Sequence, residues 1–521
     1  MRMSNKTAEE LELKIQMDVG ELRALQAKAE ARAGSDALPA QRRLRSIYFD
    51  TADHALRKAG IALRVRDDDG CWIQTIKAKT KVQGGVSNPQ ESETEIAGPK
   101  PQLDQILDGS LRAKVQDATN GALVLPIFET VVERTSFDLH TANGGCVELA
   151  IDMGHVFSDK GLQPIGEAEL ELKYGNVADL LDLAGALFEG QHCRLASRNK
   201  ATLGYVLIGA ESAKPPKPKP VSLPALTTGQ SIEQTFIQQM DPIVAAILHN
   251  WHVMTQSPNP EGPHQLRINL RLLRSLLRAF RPVIDGPPLR ALDKKARTLS
   301  RHVGQLRDMD VLVEDIYLPV VAQTDGDLSN EQRILTGRLK RYRDMVRRHV
   351  LEELEQWSHA SFQIELALFT RQKAWRKYVS KPDRKAPIDG LAAKALDKSL
   401  GQAKRHGDHL TKLTPDERHA MRKRLKTLRY QGQLFATLYD TDKTNAFNKR
   451  LKALQKIFGY INDVEMAEKL GAVTQLAGGS DESDAAIVAH VLETHQTEAD
   501  HAWHKAKKRW KQFDKAKMFW H

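Results

Sequence analysis

Glu10-Leu-Glu-Leu-Lys14, near the start of the chain, recurs as Glu169-Leu-Glu-Leu-Lys173. In both copies charged residues alternate with Leu at period two, which predicts a short β-strand with one charged and one apolar face. Glu10, Glu12 and Lys14 share a face, as do Glu169, Glu171 and Lys173. Carboxylates and an ammonium on the inner face of a strand are costly to bury without a partner. A divalent cation with a polyphosphate supplies one, because carboxylates hold hard cations and Lys holds phosphate oxygens.

Other stretches of the first half repeat this pattern. Strands are expected near 9–16, 44–50, 61–67, 72–79, 91–97, 128–139, 146–153 and 167–174, and helices near 18–33, 102–116 and 176–189. Arg64 and Arg66 alternate on one strand, Thr75, Lys77 and Lys79 on another. Glu93 with Glu95, and Glu148 with Asp152, add acids at the same spacing, and Arg134 and Lys200 are further candidates. About eight antiparallel strands with charge on one face suggest a closed barrel with a polar interior. The bland alternative is an amphipathic sheet whose charges face solvent.

At 521 residues the chain is too long for one core. Its net charge of +11 is divided unevenly. Residues 1–210 carry 25 Lys and Arg against 30 Asp and Glu, a net of −5, whereas residues 211–521 carry 52 against 36, a net of +16. The change of sign coincides with Lys214-Pro-Pro-Lys-Pro-Lys-Pro220, a run that forms neither helix nor central strand and reads as a semi-rigid spacer. Domains are therefore expected at 1–210 and 229–521, with 211–228 as linker. A basic half of this size is expected to face a polyanion.

The second half reads as helix and contains a duplication. His264, Arg267, Arg271, Arg274 and Arg278 are spaced 3, 4, 3, 4 along one helix face, and His419, Arg422, Lys426 and Arg429 repeat the pattern 155 residues later. Gly304, Leu306, Arg307 and Asp308 follow His264 at the same offsets as Gly459, Ile461, Asn462 and Asp463 follow His419. Two four-helix units, about 232–360 and 385–521, are expected to pack as one bundle-like domain. The fold class is thus α+β: an eight-stranded antiparallel tunnel followed by an all-α bundle.

The first half resembles the CYTH superfamily, the triphosphate tunnel metalloenzymes, from residue 8 to about 206. The resemblance is carried by Glu10-x-Glu12-x-Lys14, Tyr48-Phe-Asp-Thr51, Leu63-Arg-Val-Arg66, Thr75-Ile-Lys77, Glu169-Leu-Glu-Leu-Lys173 and Asn199-Lys200 ahead of Gly204-Tyr205. It implies that Glu10, Glu12, Asp152, Glu169 and Glu171, with Glu148 as a further candidate, hold Mg²⁺ or Mn²⁺. It also implies that Lys14, Arg64, Arg66, Lys77, Arg134, Lys173 and Lys200 grip a triphosphate, with Glu12 and Lys14 closest to the chemistry. Glu91 departs from the pattern, because relatives often carry Arg two residues ahead of the Glu93-x-Glu95 pair. Tyr48 and Phe49 read as packing residues.

The second half, from about 232 to 521, resembles the CHAD domain through His264-Gln-Leu-Arg267, Arg271, Arg274, Arg278, Leu306-Arg-Asp-Met-Asp310 and their counterparts. Leu272 stands where many relatives have Arg. The resemblance implies binding of inorganic polyphosphate by His264, Arg267, Arg271, Arg274, Arg278, Arg307, His419, Arg422, Lys426 and Arg429. Guanidinium forks spaced along a helix suit adjacent phosphate oxygens, although some are expected to be salt-bridged internally, for example to Asp308 or Asp463.

Together these readings predict a triphosphatase acting on inorganic triphosphate, tethered to a polyphosphate-binding domain. Thiamine triphosphatase, nucleoside triphosphatase and adenylate cyclase are the enzymatic alternatives, and a polyphosphate-granule binding protein is the non-enzymatic one. Nucleic acid ranks lower, because aromatics total 6% and no recognition motif appears; the tail Trp residues are expected to close the bundle. No apolar run reaches membrane-spanning length, the first residues lack a signal-peptide layout, and Cys71, Cys146 and Cys193 form no metal or disulfide pattern. The expectation is a cytoplasmic protein, with polyphosphate granules as a further address and a homodimer left open.

Overall fold

The computed structural model describes residues 12–33, 39–68, 70–78, 86–87, 90–322, 328–407, 409–479 and 481–521. Glu10 and Lys79 lie outside the described residues. The chain forms two compact units: one from residues up to Pro216 together with Leu354–Leu368, the other from Lys217–Glu353 and Phe369–His521.

The first unit is built on strands β1 (Glu12–Gln16), β2 (Ala40–Asp50), β3 (Ile61–Asp68), β4 (Cys71–Ala78), β5 (Val86–Ser87), β6 (Gln90–Ile96), β7 (Leu125–His140), β8 (Cys146–Ser158), β9 (Gly161–Tyr174) and β10 (Arg194–Leu195). They pair antiparallel in the order β10-β1-β9-β8-β7-β2-β3-β4-β6. Strand β5, from the connection between β4 and β6, pairs with β1 and brings the two ends of the path together. The sheet thereby closes into a tunnel, and its eight longer strands are those expected from the alternation.

Apolar residues take the outer face. Leu13 and Ile15 of β1, Phe137 and Leu139 of β7, Leu149 and Ile151 of β8 and Ala168 and Leu170 of β9 form one buried cluster. It is covered by helices α1 (Val19–Ala33) and α4 (Val177–Phe188) through Leu22, Leu25, Leu183 and Phe188. Residues 354–368 complete this cover, with Trp357 stacked on Phe188 at 4.9 Å between centroids and Ile364 and Leu368 beside it. Elsewhere on the outer face Ile47, Phe49, Leu63, Val65 and Ile76 pack under α2 (Ala55–Lys58) and α3 (Gly109–Thr119). With the apolar set outside, alternate residues turn inward, and many of these are charged, among them Glu12 and Lys14, Arg64 and Arg66, and Glu167 and Glu169. Tyr48 of β2 and Phe128 and Val132 of β7 instead form a separate buried cluster.

The short helices α2 and α5 (Lys200–Leu207) are fixed by Asp50, which is fully buried. Its carboxylate accepts from the backbone N–H of Thr51, Leu56 and Arg57 and from the Tyr205 hydroxyl, at 2.6–3.0 Å. Tyr48 and Phe49 are buried packing residues, and Tyr48 stacks on Phe128 at 4.7 Å. The Phe128 ring in turn lies so close to Gly204 that a Cβ there would sit 2.0 Å from it, so only glycine allows α5 this approach.

The second unit is helical: α6 (Ile232–Gln256), α7 (Glu261–Phe280), α8 (Pro287–Asp310), α9 (Leu318–Val321), α10 (Asn330–Leu354), the end of α11 (Trp357–Gln372), α12 (Lys381–Lys385), α13 (Ile388–Gly407), α14 (Pro415–Phe435), α15 (Thr441–Leu476), α16 (Glu482–Trp503) and α17 (Ala506–Asp514). The duplication appears as α6-α7-α8-α10 and α13-α14-α15-α16. The copies differ where α8 runs through a π-helical stretch, Val311–Tyr317, before α9, while α15 continues unbroken for 36 residues. Leu272 is fully buried, so this position serves the core. Trp510 and Trp520 are buried too, and Trp520 packs edge-on against Phe447 at 5.2 Å. The Pro-rich run has no regular structure, and the backbone of Lys219 is held by the buried Asn250 side chain at 2.8 and 3.0 Å. Among the described residues no helix is long and apolar enough to cross a membrane.

Candidate functional site

Strand register decides which charges meet inside the tunnel. Lys14 stands opposite Glu169, Asp152 opposite both Arg134 and Glu167, and Glu12 opposite Glu171. The result is a largely buried cluster of seven charged side chains. Lys14 Nζ lies 2.7 Å from Glu12 and 2.5 Å from Glu169. Arg134 grips Asp152 with both arms of its fork, at 2.7 and 2.6 Å, and reaches Glu169 at 2.6 Å. Lys200 lies 2.7 Å from Asp152 and 3.1 Å from Glu169, and also bonds Glu167. Three cations thus stand among four acids, Glu12, Asp152, Glu167 and Glu169.

The pairing sets the protonation states. Burial favours the neutral form of every member, but for most of them the surrounding opposite charges prevail. Glu169 is held well below the ordinary carboxylate range by Lys14, Lys200 and Arg134 despite its burial, and Asp152 is lowered by Lys200 and Arg134. Burial would lower Lys14 and Lys200, yet their acids raise both. Glu167 is the exception: burial, with Glu169 nearby, pushes it up.

Asp152, Glu167 and Glu169 can each offer one oxygen within 4.8 Å of the others, an oxygen-only set that fits a hard divalent cation. Glu167 was absent from the residues singled out in the sequence. Its signal is the period-two continuation of Glu169 and Glu171 toward the N-terminus of the same strand. Glu148 and Glu171 lie apart from the trio, sharing Lys173 at 2.5 and 3.3 Å in a more exposed position.

A second wall of the tunnel is cationic. Arg64 and Arg66 on β3 and Lys77 on β4 line it, with Glu91 and Glu93 on β6 beside them. Arg64 and Arg66 both bury a side-chain Nε that has no hydrogen-bond partner among the described residues. Repulsion by Arg64, then burial, brings Arg66 down to about 10, and burial followed by Arg64 lowers Lys77. Donors left unsatisfied in this way suit an anion with several acceptor oxygens.

In the second unit helices α7 and α14 pack together and bring the two basic stripes face to face. Lys426 is the most perturbed member: burial, then Arg422, Arg271, Arg267 and Arg429, push its ammonium down to about 7. Several stripe residues are paired internally. Arg267 meets Asp308 at 2.6 Å, Arg274 meets Asp293 at 2.9 Å and Arg307 meets Asp315 at 2.9 Å. Arg278 contacts Thr427 at 3.4 Å and Arg429 lies over the Tyr430 ring. His419 faces Glu465 at 3.2 Å, a carboxylate supplied by α15 that spacing around the histidine does not reveal. His264 is lowered by burial and by Arg307. Arg271, Arg422 and Lys426 make no ion pair among the described residues.

Fold and site together define a two-part protein, a charge-lined antiparallel tunnel followed by a duplicated helical bundle with a basic face. Comparison with known proteins gives the parts their names. A CYTH domain model matches residues 8–205 and a CHAD domain model matches residues 238–472, so the chain carries a CYTH domain followed by a CHAD domain. The inorganic triphosphatase of Haemophilus influenzae is 33% identical over 165 residues, 32% of this chain and 46% of that protein. The match therefore spans just under half the length of that relative. Among solved structures, the CHAD domain from the plant Ricinus communis is 20% identical, with a TM-score of 0.49 over 57% of this chain and 96% of that one. A Hippeastrum protein assigned as an adenylyl cyclase, and described as revealing a dominant triphosphatase activity, is 22% identical, with a TM-score of 0.27 over 39% of this chain and 95% of that one.

Proposed function

We propose that the tunnel hydrolyses inorganic triphosphate to diphosphate and phosphate with Mg²⁺ or Mn²⁺, and that the basic face of the helical unit binds inorganic polyphosphate. The observation that carries the first part is the opposition of two walls: the Asp152-Glu167-Glu169 trio on one side, and Arg64 and Arg66 with unpartnered donors on the other. The CYTH match and the triphosphatase relative support the same reading.

Asp152, Glu167 and Glu169 would hold the metal, with Glu12, Glu171 and Glu148 toward the more exposed side and Glu10 completing the Glu-x-Glu pair. A bound divalent cation would neutralise charge developing on the phosphate oxygens. Lys14, Arg134 and Lys200, now paired with these acids, would then turn to the phosphate, so that each charge changes partner rather than losing one. Arg64, Arg66 and Lys173 would fix the rest of the chain, with Lys77 held by Glu91 at the far end of that wall, and their grip is positional, as phosphoryl transfer requires. Lys14, kept protonated by Glu169 and Glu12, donates to the terminal phosphate. Glu12 accepts a hydrogen bond at the same place and orients the attacking water. Water adds to the terminal phosphorus as its bond to the bridging oxygen breaks, and diphosphate leaves.

For the helical unit, the support is the set Arg271, Arg422 and Lys426, whose mutual repulsion a linear polyanion would relieve.

The deciding assay is turnover of triphosphate, ATP, thiamine triphosphate and long-chain polyphosphate with Mg²⁺ or Mn²⁺ and with chelator, products identified. The expected result is metal-dependent, selective release of phosphate and diphosphate from triphosphate. A cyclic nucleotide product would indicate a cyclase, and retained turnover in Glu12→Ala would overturn the site assignment.

A further inference from the structure

The cationic wall of the tunnel is not uniform. On the paired strands β3 and β4, Arg66 is level with Ile73, Arg64 with Thr75 and Ala62 with Lys77. The cations therefore form a column, Arg66 then Arg64 then Lys77, in which successive levels are about 7 Å apart along the strand. Strand β6 lies against β4 and sets Glu93 opposite Thr75 and Glu91 opposite Lys77. Glu93 accepts from the Thr75 hydroxyl at 2.9 Å and stays 3.8 Å from Arg64. Glu91 instead holds Lys77 directly, at 2.7 Å, and both side chains of that pair are mostly shielded from solvent. Among the described residues the Lys77 end of the column carries the closest counterion, whereas Arg64 has Glu93 at 3.8 Å and both Arg64 and Arg66 keep Nε donors without a partner.

We propose that Glu91 determines the chain-length specificity of the tunnel: by occupying Lys77 and leaving a carboxylate at that end of the column, it disfavours phosphate chains longer than triphosphate. The inference rests on the triphosphatase reading and adds to it the residue that sets the limit. A chain that occupies Arg66 and Arg64 meets the looser Arg64–Glu93 contact at 3.8 Å, which leaves the Arg64 Nε donor unfilled. A further phosphate at the level of Lys77 must open the Glu91 pair and then lie beside the released carboxylate. Both costs are poorly screened, because the pair sits inside the tunnel wall rather than in bulk water. Triphosphate, which needs less of the column, is spared them.

The test uses the full chain and reads tunnel occupancy through turnover, so that binding elsewhere on the protein does not enter. KM for triphosphate and the inhibition constant of tetraphosphate against triphosphate hydrolysis are measured for the parent, Glu91→Gln and the double variant Glu91→Gln/Lys77→Met. Glu91→Gln is expected to tighten tetraphosphate relative to triphosphate by about tenfold, the worth of one charge-assisted hydrogen bond. Lys77→Met in that background should remove the gain. A ratio of the two constants unmoved by Glu91→Gln, or a gain that survives Lys77→Met, overturns the proposal while leaving the triphosphatase reading intact. A folded parent that turns over no triphosphate sinks that reading, and this one with it.

Discussion

In the tunnel, Lys14, Arg134 and Lys200 stand among Glu12, Asp152, Glu167 and Glu169 at hydrogen-bonding distance. On the α7–α14 face of the helical unit, Arg271, Arg422 and Lys426 crowd one another without an ion pair among the described residues, and burial together with this crowding lowers the Lys426 ammonium to about 7. Both clusters suit phosphate, but by different physics. The cations of the tunnel cluster are each paired and pre-organised, and a ligand would enter by exchange of partners. The helical face is unbalanced, and a polyanion would supply charge that the protein lacks. The paired site is buried among its counterions, whereas the helical cluster is partly buried without ion pairs among the described residues.

The comparison breaks most readily if one charge is removed from each cluster. Asp152→Asn strips a fully buried carboxylate from the Arg134 fork and from Lys200. Leaving such partners uncompensated costs about 3–5 kcal/mol, so thermal denaturation of the variant should begin well below that of the parent. Lys426→Met removes a charge from a cluster that repels itself. It should cost nothing and stabilise the helical unit by about 0.5–2 kcal/mol, the usual range for relief of surface charge. Losses of equal size in both variants would mean that the helical face is balanced after all.

Much of this architecture was legible because period two is a local signal. Alternation in Leu63-Arg-Val-Arg66 or Glu169-Leu-Glu-Leu-Lys173 is enough to assign both a strand and its inward face, and all eight long strands follow from it. The duplication was legible for a similar reason, since equal offsets need no knowledge of packing. What escaped was non-local. Residues 354–368 join the core of the first unit because Trp357 and Ile364 find Phe188 and Leu187 there, and burial has no direction that a sequence could encode. The closing strand β5 is two residues long and carries no period at all. The counterions Asp293, Asp315 and Glu465 come from elements or turns beyond the stripes they neutralise. Glu167 is different: it continues the period-two alternation of Glu169 and Glu171 on the same strand, a local signal that the sequence carries.

Acidity sharpens the comparison next. The folded value of Lys426, about 7, lies below the ~10.4 of an unfolded lysine, so between those values the unfolded chain binds the extra proton. Stability of the helical unit should therefore rise with pH from about 7 toward 10, and the rise should diminish in Lys426→Met. Polyphosphate affinity should run the other way, tightening as pH falls through about 7 and the ammonium is restored. Titration of binding from pH 8.5 to 6 checks this. Affinity flat across that range, with stability also flat, would remove Lys426 from the cluster.

The smallest expected difference lies within one helix. Arg271 and Arg274 belong to the same stripe, yet Arg274 is committed to Asp293 at 2.9 Å while Arg271 makes no ion pair and is lowered by burial and by Arg267. A phosphate that recruits Arg274 must first displace Asp293, and the gain is reduced by the pair it breaks. Arg271→Ala should therefore weaken polyphosphate binding by about tenfold and reduce the slope of log affinity against log salt by about one, the signature of one phosphate contact. Arg274→Ala should weaken it by no more than about threefold and leave the slope nearly unchanged, since a paired cation carries little of the counterion atmosphere that binding releases. Equal slopes in the two variants would show that the Asp293 pair opens without cost, and that the distinction between paired and unpaired cations does not govern this face.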